Sequence, residues 1–516
     1  MASLDALAAA ASRDLNARII RSQEPIHIRR WQATAPASDP CGDVAAPVQP
    51  TRLRVLLVDG HSGPMSDAAV SLQCFDSSVS LDLVPFYAYK EFAPSRRRRL
   101  SRAAWTNLSK LVSYCNTVKR PRYGNVRFGP CMRALYAGSF SKQRQPNEKP
   151  NYLGRELTAE IENAIDVVMC QFPGFQCALF DTVRVAIVLR FTHRYHHHIS
   201  GTLPKSSTTL RQRWEYMLLN WHRFGRAAFF ADNGYDKAYL WHYLRIPSIS
   251  WPASGARLVL APKGEERVEP KAKQEPVWCF CCEPEIEHSR TLELVRRLRQ
   301  QADRNISFMR DMHVPKSRAS SLAQTTRCTA FVLLPHSLHS YTSVEAYAAG
   351  FPMVVPSAEL LSQWHADYGV ITHRCSGLPA DTCADRDTQP AFGSPLVAAN
   401  TSGMASWLSL CDFLQWPHTQ VLDNESALPE AMASTPTAPR LDQTRYMRTL
   451  AAEASPRVLS AISRAVRLAR SYPFPRPRFV RAEDCGLCRH AVLMKAKREQ
   501  RELARRGRYL EQARTV

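Results

Sequence analysis

The sequence predicts an α/β chain built from two doubly wound, parallel-sheet domains, and three observations carry that expectation. Short apolar runs of strand length alternate with amphipathic segments of helix length, the pattern of a parallel sheet covered on both faces. The alternation stops once, over a charged, Pro-punctuated stretch at 254–276, and then restarts. At 516 residues the chain is also too long for one ordinary core.

Taken in order, residues 1–50 read as a disordered leader ending in the Pro/Ala/Asp-rich ATAPASDPCGDVAAPVQPT. Order begins with RLRVLLVDGHSG, a β-branched and Leu run that breaks into Gly, Ser and Pro. LDLVPF follows as a strand, WTNLSKLVSYCNTV as a helix, IDVVMCQF as a strand and GFQCALFDTV as a helix. VAIVLRFTH, RAAFFADN and IPSISWP are the later strands, separated by the helices TTLRQRWEYMLLNWHRF and DKAYLWHYLR. The second domain opens with VWCFCCE as strand and RTLELVRRLRQQ as helix, then NISFMRDM and SRASSLAQTTR in the same order. TAFVLLP, TSVEAYAAG and FPMVVPS continue it as strand, helix and strand. Amphipathic helices near 442–470 close it before SYPFPRPRF breaks the helical pattern. The expected limits are therefore a first domain at 51–253, a linker at 254–276, a second domain at 277–470, and a tail at 471–516 that ends in a basic helix.

Hydrophobic content of 45% and charged content of 22% are globular values. The best apolar runs, VRVAIVLRF and TAFVLLP, fall well short of the ~18 residues a bilayer helix needs, which excludes a helical membrane span. The net charge of +22 suits a polyanionic partner, and it equally suits arginine gathered in tails and solvated faces, as in the run Arg96 to Arg99. The 15 cysteines form no dense framework, and Cys170, Cys177 and Cys411 sit inside apolar runs as small hydrophobes. The expectation is a reducing, cytoplasmic setting, with an organelle as the alternative because the acid-poor, Ala-rich start is faintly transit-like. Cys485 and Cys488 with His490 have knuckle-like spacing, with Cys279, Cys281 and Cys282 as possible partners. A single CxxC is a weak zinc signal, so no metal is expected.

Two places could hold a ligand. The loop after the first strand, with Gly60, Ser62 and Gly63, lies where open α/β sheets bind ligands, and it equally reads as a plain strand-to-helix turn. The segment 331–357, FVLLPHSLHSYTSVEAYAAGFPMVVPS, places a hydroxyl-rich loop at the end of a buried strand. A helix start there can hold a diphosphate on its amides, and Glu345, one turn in, can accept from a ribose diol. The competing reading is a capped helix with a solvated glutamate.

SVEAYAAGFPMVVPS resembles the donor-binding signature of GT-B glycosyltransferases, of a eukaryotic-type group to which SAELLSQWHADYGV and LCDFLQWPHTQVLDNESAL also look similar. The resemblance implies two Rossmann-like domains facing across a cleft, with a nucleoside-diphosphate-sugar donor in the second and an acceptor in the first. Glu345 would bind the donor ribose, and Ser340, Thr342 and Ser343 would cradle the diphosphate. Many retaining members carry a second glutamate eight positions earlier; here that position is Ser337, which leaves the stereochemical outcome open. Arg290, at a helix start, is the candidate cation for the leaving diphosphate, or a solvated helix arginine.

In LRFTHRYHHHIS the histidines 193, 196, 197 and 198 follow a buried strand. His193, nearest the strand end, is the expected base for the acceptor hydroxyl; a metal site and incidental surface histidines are the alternatives. Asn233 either touches the acceptor or caps the next helix. Trp364, His365, Asp412, Trp416 and His418 could line the cleft floor or belong to the core. The expected activity is sugar transfer to a glycan, protein or small-molecule hydroxyl, with no cofactor and no metal. The alternatives are an inactive scaffold of the same fold and a basic nucleic-acid-binding protein. No recognised RNA-binding motif supports the latter, although the basic segments allow peripheral membrane contact.

Overall fold

The computed structural model describes residues 53–59, 62–85, 99–116, 153–172, 174–192, 195, 207–255, 277–281, 289–302, 306–308, 327–335, 339–371, 401–436 and 441–471. The first half runs β1 (Arg54–Asp59), α1 (Ser62–Phe75), β2 (Ser80–Pro85), α2 (Arg102–Asn116), α3 (Arg155–Ala164), β3 (Val167–Cys170), a 3-10 segment (Gly174–Phe180), β4 (Ala186–Phe191), α4 (Ser207–Arg223), β5 (Ala227–Ala231), α5 (Gly234–Leu244) and β6 (Ile249–Ser250). The second runs β7 (Trp278–Cys281), α6 (Ser289–Gln301), β8 (Ser307–Phe308), β9 (Ala330–Leu333), α7 (Tyr341–Ala348), β10 (Met353–Pro356), α8 (Ala358–Tyr368), α9 (Thr401–Leu408), β11 (Gln420–Leu422), α10 (Leu428–Ser434) and α11 (Leu441–Ser471).

The strands form two sheets, each parallel throughout. The first has the order β2-β1-β3-β4-β5-β6. The second, read from its β8 edge, runs β8-β7-β9-β10-β11. Five strands of each sheet thus share one winding, and the order reverses between β1 and β3 and between β7 and β9. Such a reversal opens a crevice at the carboxyl edge of a sheet. Strands β3, β4, β7, β9 and β10 are buried along their whole length, as expected for a layer with helices on both faces.

The helices supply the covering faces. In α3, Leu157 and Ile161 stand one turn apart and are the buried pair. The predicted helix after β3 is a 3-10 segment, buried from Phe175 to Phe180. The predicted helices near 442–470 are one 31-residue helix, α11, which runs through Pro456. It fastens to both halves. Thr444 Oγ1 donates to Ala348 O at 2.9 Å in the second, and Arg470 pairs with Asp166 in the first. Gly225, at φ +63°, lies so close to Leu468 that a Cβ would sit 2.6 Å from its Cδ1.

The cysteine expectation is corrected. Cys170 and Cys177 form a disulfide, Cys279 bonds to Cys328, and Cys74 is also disulfide-bonded. An apolar run hides such a pairing because a cystine is itself apolar and buried. The cysteine argument for a reducing compartment therefore falls, and Cys279 is no zinc ligand. Cys411 is a free, buried thiol, as expected. Cys485, Cys488 and His490 lie outside the described residues. Among the described residues no helix is long and apolar enough to cross a membrane.

Candidate functional site at the meeting of the two carboxyl edges

The segment 331–357 folds as strand, loop, helix and strand for local reasons. β9 is an all-apolar AFVL strand that Leu334 and Pro335 close. Ser340 is the N-cap of α7, in extended backbone and with no side-chain capping bond. At the other end Gly350 takes φ +83°, its N–H reaches Tyr347 O at 2.9 Å, and Phe351 N–H reaches Ala346 O at 3.1 Å. That pair of bonds ends a helix through a left-handed residue, and only glycine adopts the angle without cost. The AAGFP portion of the signature is thus a helix stop that feeds the chain into β10.

The N-terminus of α7 sits at the carboxyl edge of the second sheet and meets the carboxyl edge of the first. Tyr341, its first residue, donates its hydroxyl to Asp232 Oδ2 at 2.7 Å; Asp232 follows directly on β5. Tyr235 N–H donates to Leu410 O at 2.9 Å, and the Tyr235 ring lies 5.5 Å from that of Trp407. Gly255, at φ +60°, presses its backbone on α7, where a Cβ would stand 2.7 Å from Ala348 Cβ and 3.8 Å from Glu345 Cα.

A buried charge cluster fills this junction. Arg190, in β4, has no exposed surface. Its Nη2 bonds Asp67 Oδ2 at 2.7 Å, its Nε lies 2.5 Å from Asp232 Oδ1, and its Nη1 reaches Gln171 Oε1 at 3.3 Å. The guanidinium also lies 4.7 Å over the Trp251 ring. Asp67 accepts from Ser254 through both N–H and Oγ, at 3.2 and 3.3 Å. From the second half, His339 places Nδ1 2.8 Å from Asp412 Oδ2 and Nε2 3.5 Å from Asp232 Oδ2.

The charges set one another's protonation. Burial alone would lower the His339 pKa, but Asp412, with Asp232 and Asp236, outweighs it and raises the value to about 9. His339 is therefore a buried imidazolium at neutral pH. Burial lifts the Asp236 carboxyl to about 7, against the pull of His339. Burial likewise raises Tyr341, so its phenol keeps the proton that it donates. Arg190 is raised, because Asp232, Tyr341 and Asp67 outweigh its desolvation.

The residues singled out in the sequence divide into three groups. Ser340, Thr342, Ser343 and Glu345 come together on α7, but Ser343 is 1% exposed and its hydroxyl donates to Ser340 O at 2.7 Å. Its hydroxyl proton is thus committed within the helix start. Asn233 takes the capping role of its two readings: it accepts from Asp236 N at 2.8 Å and donates to Asp236 Oδ2 at 2.9 Å. That closes a reciprocal box at the start of α5. Arg290 and Ser62 lie at the starts of α6 and α1, and Gly63 is one residue further into α1. Gly60, His193, Ser337 and the histidines 196–198 lie outside the described residues.

Trp364 and Trp416 are core side chains. Asp412, by contrast, partners His339 across 73 residues of sequence. Arg190, Asp67, Asp232, His339 and Tyr341 were missed as a group. The one local signal is an arginine inside an otherwise apolar strand run, AIVLRF. Among the described residues no group of three or more His, Cys, Asp or Glu is arranged to hold a metal ion.

No protein-family model and no curated protein matches the chain. Among solved structures it is similar to the glycosyltransferase SnogD from Streptomyces nogalater, at 14% identity and a TM-score of 0.33, covering 79% of this chain and 99% of that one. It is also similar to the calicheamicin glycosyltransferase CalG4, at 10% identity and a TM-score of 0.32, covering 82% and 99%. The glycosyltransferase VinC in complex with dTDP stands at 10% and 0.32, covering 81% and 100%. Likeness at these scores decides neither fold nor activity.

Proposed function

We propose that the chain is a glycosyltransferase of GT-B type that moves a sugar from a nucleoside-diphosphate donor to an acceptor hydroxyl. The observation that carries the reading is the meeting of two parallel sheets, carboxyl edge to carboxyl edge, across the start of α7. Ligands of open α/β sheets bind outside those edges, so a crevice there touches both halves at once. The resemblance of SVEAYAAGFPMVVPS to a donor-binding signature falls on the same helix.

In this reading the first-turn amides of α7, which have no partner within the helix, hold the diphosphate. Glu345, one turn further on, accepts from the donor ribose. Ser340 and Thr342 stand at the helix start, and Arg290 is the proposed cation for the departing charge. Donor and acceptor held on facing edges gain the advantage of a shared site, since oriented reactants meet without losing further freedom. The proposed base is His193, on the chain that leaves β4. Transfer proceeds in this proposal with amides and an arginine, rather than a divalent ion, balancing the leaving group.

The alternative of an inactive, nucleotide-binding scaffold draws on one observation, that Ser343 and Asn233 direct their polar atoms into their own helices. Thermal shift of the purified chain against UDP, GDP, ADP, CDP and their sugars, with Glu345→Ala in parallel, tests the donor site. Ligand at a hundredfold over its Kd adds about 2.7 kcal/mol of apparent stability. Stabilisation by one nucleotide class, lost in Glu345→Ala, is the expected result; transfer or hydrolysis of that sugar then separates enzyme from scaffold. Two folded proteins that respond to none of them would end the proposal.

A further inference from the structure

The charge cluster has a geometry that plain packing does not require: one arginine of the first half, itself held by three neighbouring groups, pairs with a single carboxylate, and that carboxylate faces the second half at Tyr341 and His339. Arg190 holds Asp232 Oδ1 at 2.5 Å. Arg190 is itself fixed by Asp67 at 2.7 Å, Gln171 at 3.3 Å and the Trp251 carbonyl at 3.2 Å. Gln171 is anchored in turn, its Nε2 donating to Pro64 O at 3.1 Å. Through Arg190, Asp232 is thereby linked to α1, to the residue that follows β3, to β4 and to the segment after β6. Its other oxygen takes the Tyr341 hydroxyl at 2.7 Å.

Tyr341 is the first residue of α7, so this bond acts where the helix amides begin. His339, two residues earlier, packs edge-on to the Tyr341 ring at 4.8 Å, with Asp412 of its own half 2.8 Å from Nδ1 and Asp232 3.5 Å from Nε2. Ser340 and Thr342 are left between and beside two fixed neighbours, each half-buried. A phenol is a stiff lever with two torsions, and a buried hydrogen bond to a charged acceptor contributes more than a neutral one.

We propose that Tyr341 and Asp232 are positioning residues that register the donor-binding end of α7 against the acceptor half. This rests on the proposed function, in which the α7 amides hold a nucleoside diphosphate. Neither residue touches the reacting atoms. Their work is to set the distance and angle between a diphosphate held by the second half and a hydroxyl held by the first. Small misplacement of that kind lowers the rate of transfer more than it lowers affinity for the donor.

The test compares the unsubstituted chain with Tyr341→Phe, with Asp232→Asn, and with Tyr347→Phe as the control. Tyr347 lies on the same helix, and its hydroxyl donates to Pro417 O at 2.6 Å within the second half. Three readouts are taken: nucleoside-diphosphate affinity, kcat against KM for transfer, and amide hydrogen exchange at 341–344 and 232–236. Tyr341→Phe is expected to bind nucleotide within about threefold of the unsubstituted chain while kcat falls about tenfold. Exchange should quicken about tenfold on both sides of the joint, and Asp232→Asn should repeat the pattern. Tyr347→Phe should leave exchange at 232–236 unchanged. Faster exchange on one side only, an equal effect of Tyr347→Phe on 232–236, or an unchanged kcat in Tyr341→Phe overturns the proposal. If no protein binds nucleotide, the glycosyl-transfer reading fails by itself. The exchange data then decide the joint: quickening on both sides supports it, and on one side or neither overturns it.

Discussion

The two halves wind five strands in the same order, yet they fasten their central strands by different chemistry. In the first sheet β1 and β3 are neighbours across the reversal point, and Arg54 clasps Asp166 at their amino ends, with Nε at 2.9 Å, Nη2 at 2.7 Å and the backbone N–H at 3.0 Å. In the second sheet β7 and β9 occupy the same positions, and the link beside them is the disulfide from Cys279 to Cys328. The carboxyl edges differ likewise. β4 carries Arg190 into a buried ionic cluster, while its counterpart β10 is MVVP without a charge. At these corresponding places the first half thus uses ion pairs where the second uses a cystine and apolar side chains, although a disulfide at Cys170–Cys177 and an ion pair at His339–Asp412 show that neither chemistry is confined to one half. The two junctions should therefore respond differently to loss of one partner.

The largest expected effect is at Arg190. Arg190→Met leaves Asp67 and Asp232 buried without their cation, and stranding buried charge costs about 3–5 kcal/mol. Urea denaturation should show a lower midpoint, and a midpoint within error of the parent would mean that the cluster does not fasten the first half. Next comes the disulfide. Cys328→Ser opens a loop of 49 residues, worth about 4 kcal/mol by chain entropy. Limited proteolysis of Cys328→Ser, which leaves the Cys170–Cys177 bond intact, should cut the second half before the first, and the reverse order would sink the comparison.

Alkaline pH gives a third and smaller break. Folding raises the His339 pKa from 6.5 to about 9, so its contribution is fully present below 6.5 and is lost as pH rises through 9, about 3 kcal/mol in all. Asp236, raised from 3.8 to about 7, acts in the same direction at lower pH, because its folded form also binds the proton more tightly. His339 and Asp236 titrate as a cluster with Asp232. A Tm that falls steadily from pH 6 to pH 9, with the fall reduced in His339→Gln, is the expected profile; a flat profile contradicts the charged imidazole.

The smallest effect is at Asp166. Burial pushes its carboxyl up, but the Arg54 bonds outweigh it and leave the pKa lowered. Its stabilisation is therefore present above the usual carboxylate range and is lost as pH falls through the lowered value. Asp166→Asn should cost about 1–2 kcal/mol, since Arg54 is 30% exposed and stays hydrated when its partner is gone. Calorimetry that finds a cost equal to that of Arg190→Met would erase the distinction between a rim pair and a buried one.

Much of the architecture was visible in the sequence because β4, β9 and β10 are continuous apolar runs between amphipathic helices. The alternation alone implies a parallel layer. β11 was not visible: it has three residues, two of them exposed, and it exists because Val354, Val355 and Pro356 in β10 offer it an edge. The cystines were hidden among apolar residues. The helix of the signature was legible through Gly350, whose place after a short helix sets the stop. The cluster was not, because its members come from positions separated by 123, 109 and 73 residues. No local pattern announces that a lone arginine in a strand has two carboxylates waiting for it. Asn233 and Ser343 show the converse, polar residues at helix starts whose bonds turn out to be local.

Helix α11 has a bearing on how the chain is made. Asp166 waits for Arg470, 304 residues later, and the turn at Gly225 is covered by Leu468 of the same late helix. On a ribosome the first sheet emerges well before α11, and these two patches at its amino edge stay open until that helix has been synthesised. Contacts of such long sequence separation form slowly. The first half therefore passes a long interval with an incomplete edge, in which a helper that shields apolar surface should raise the yield of correctly assembled protein.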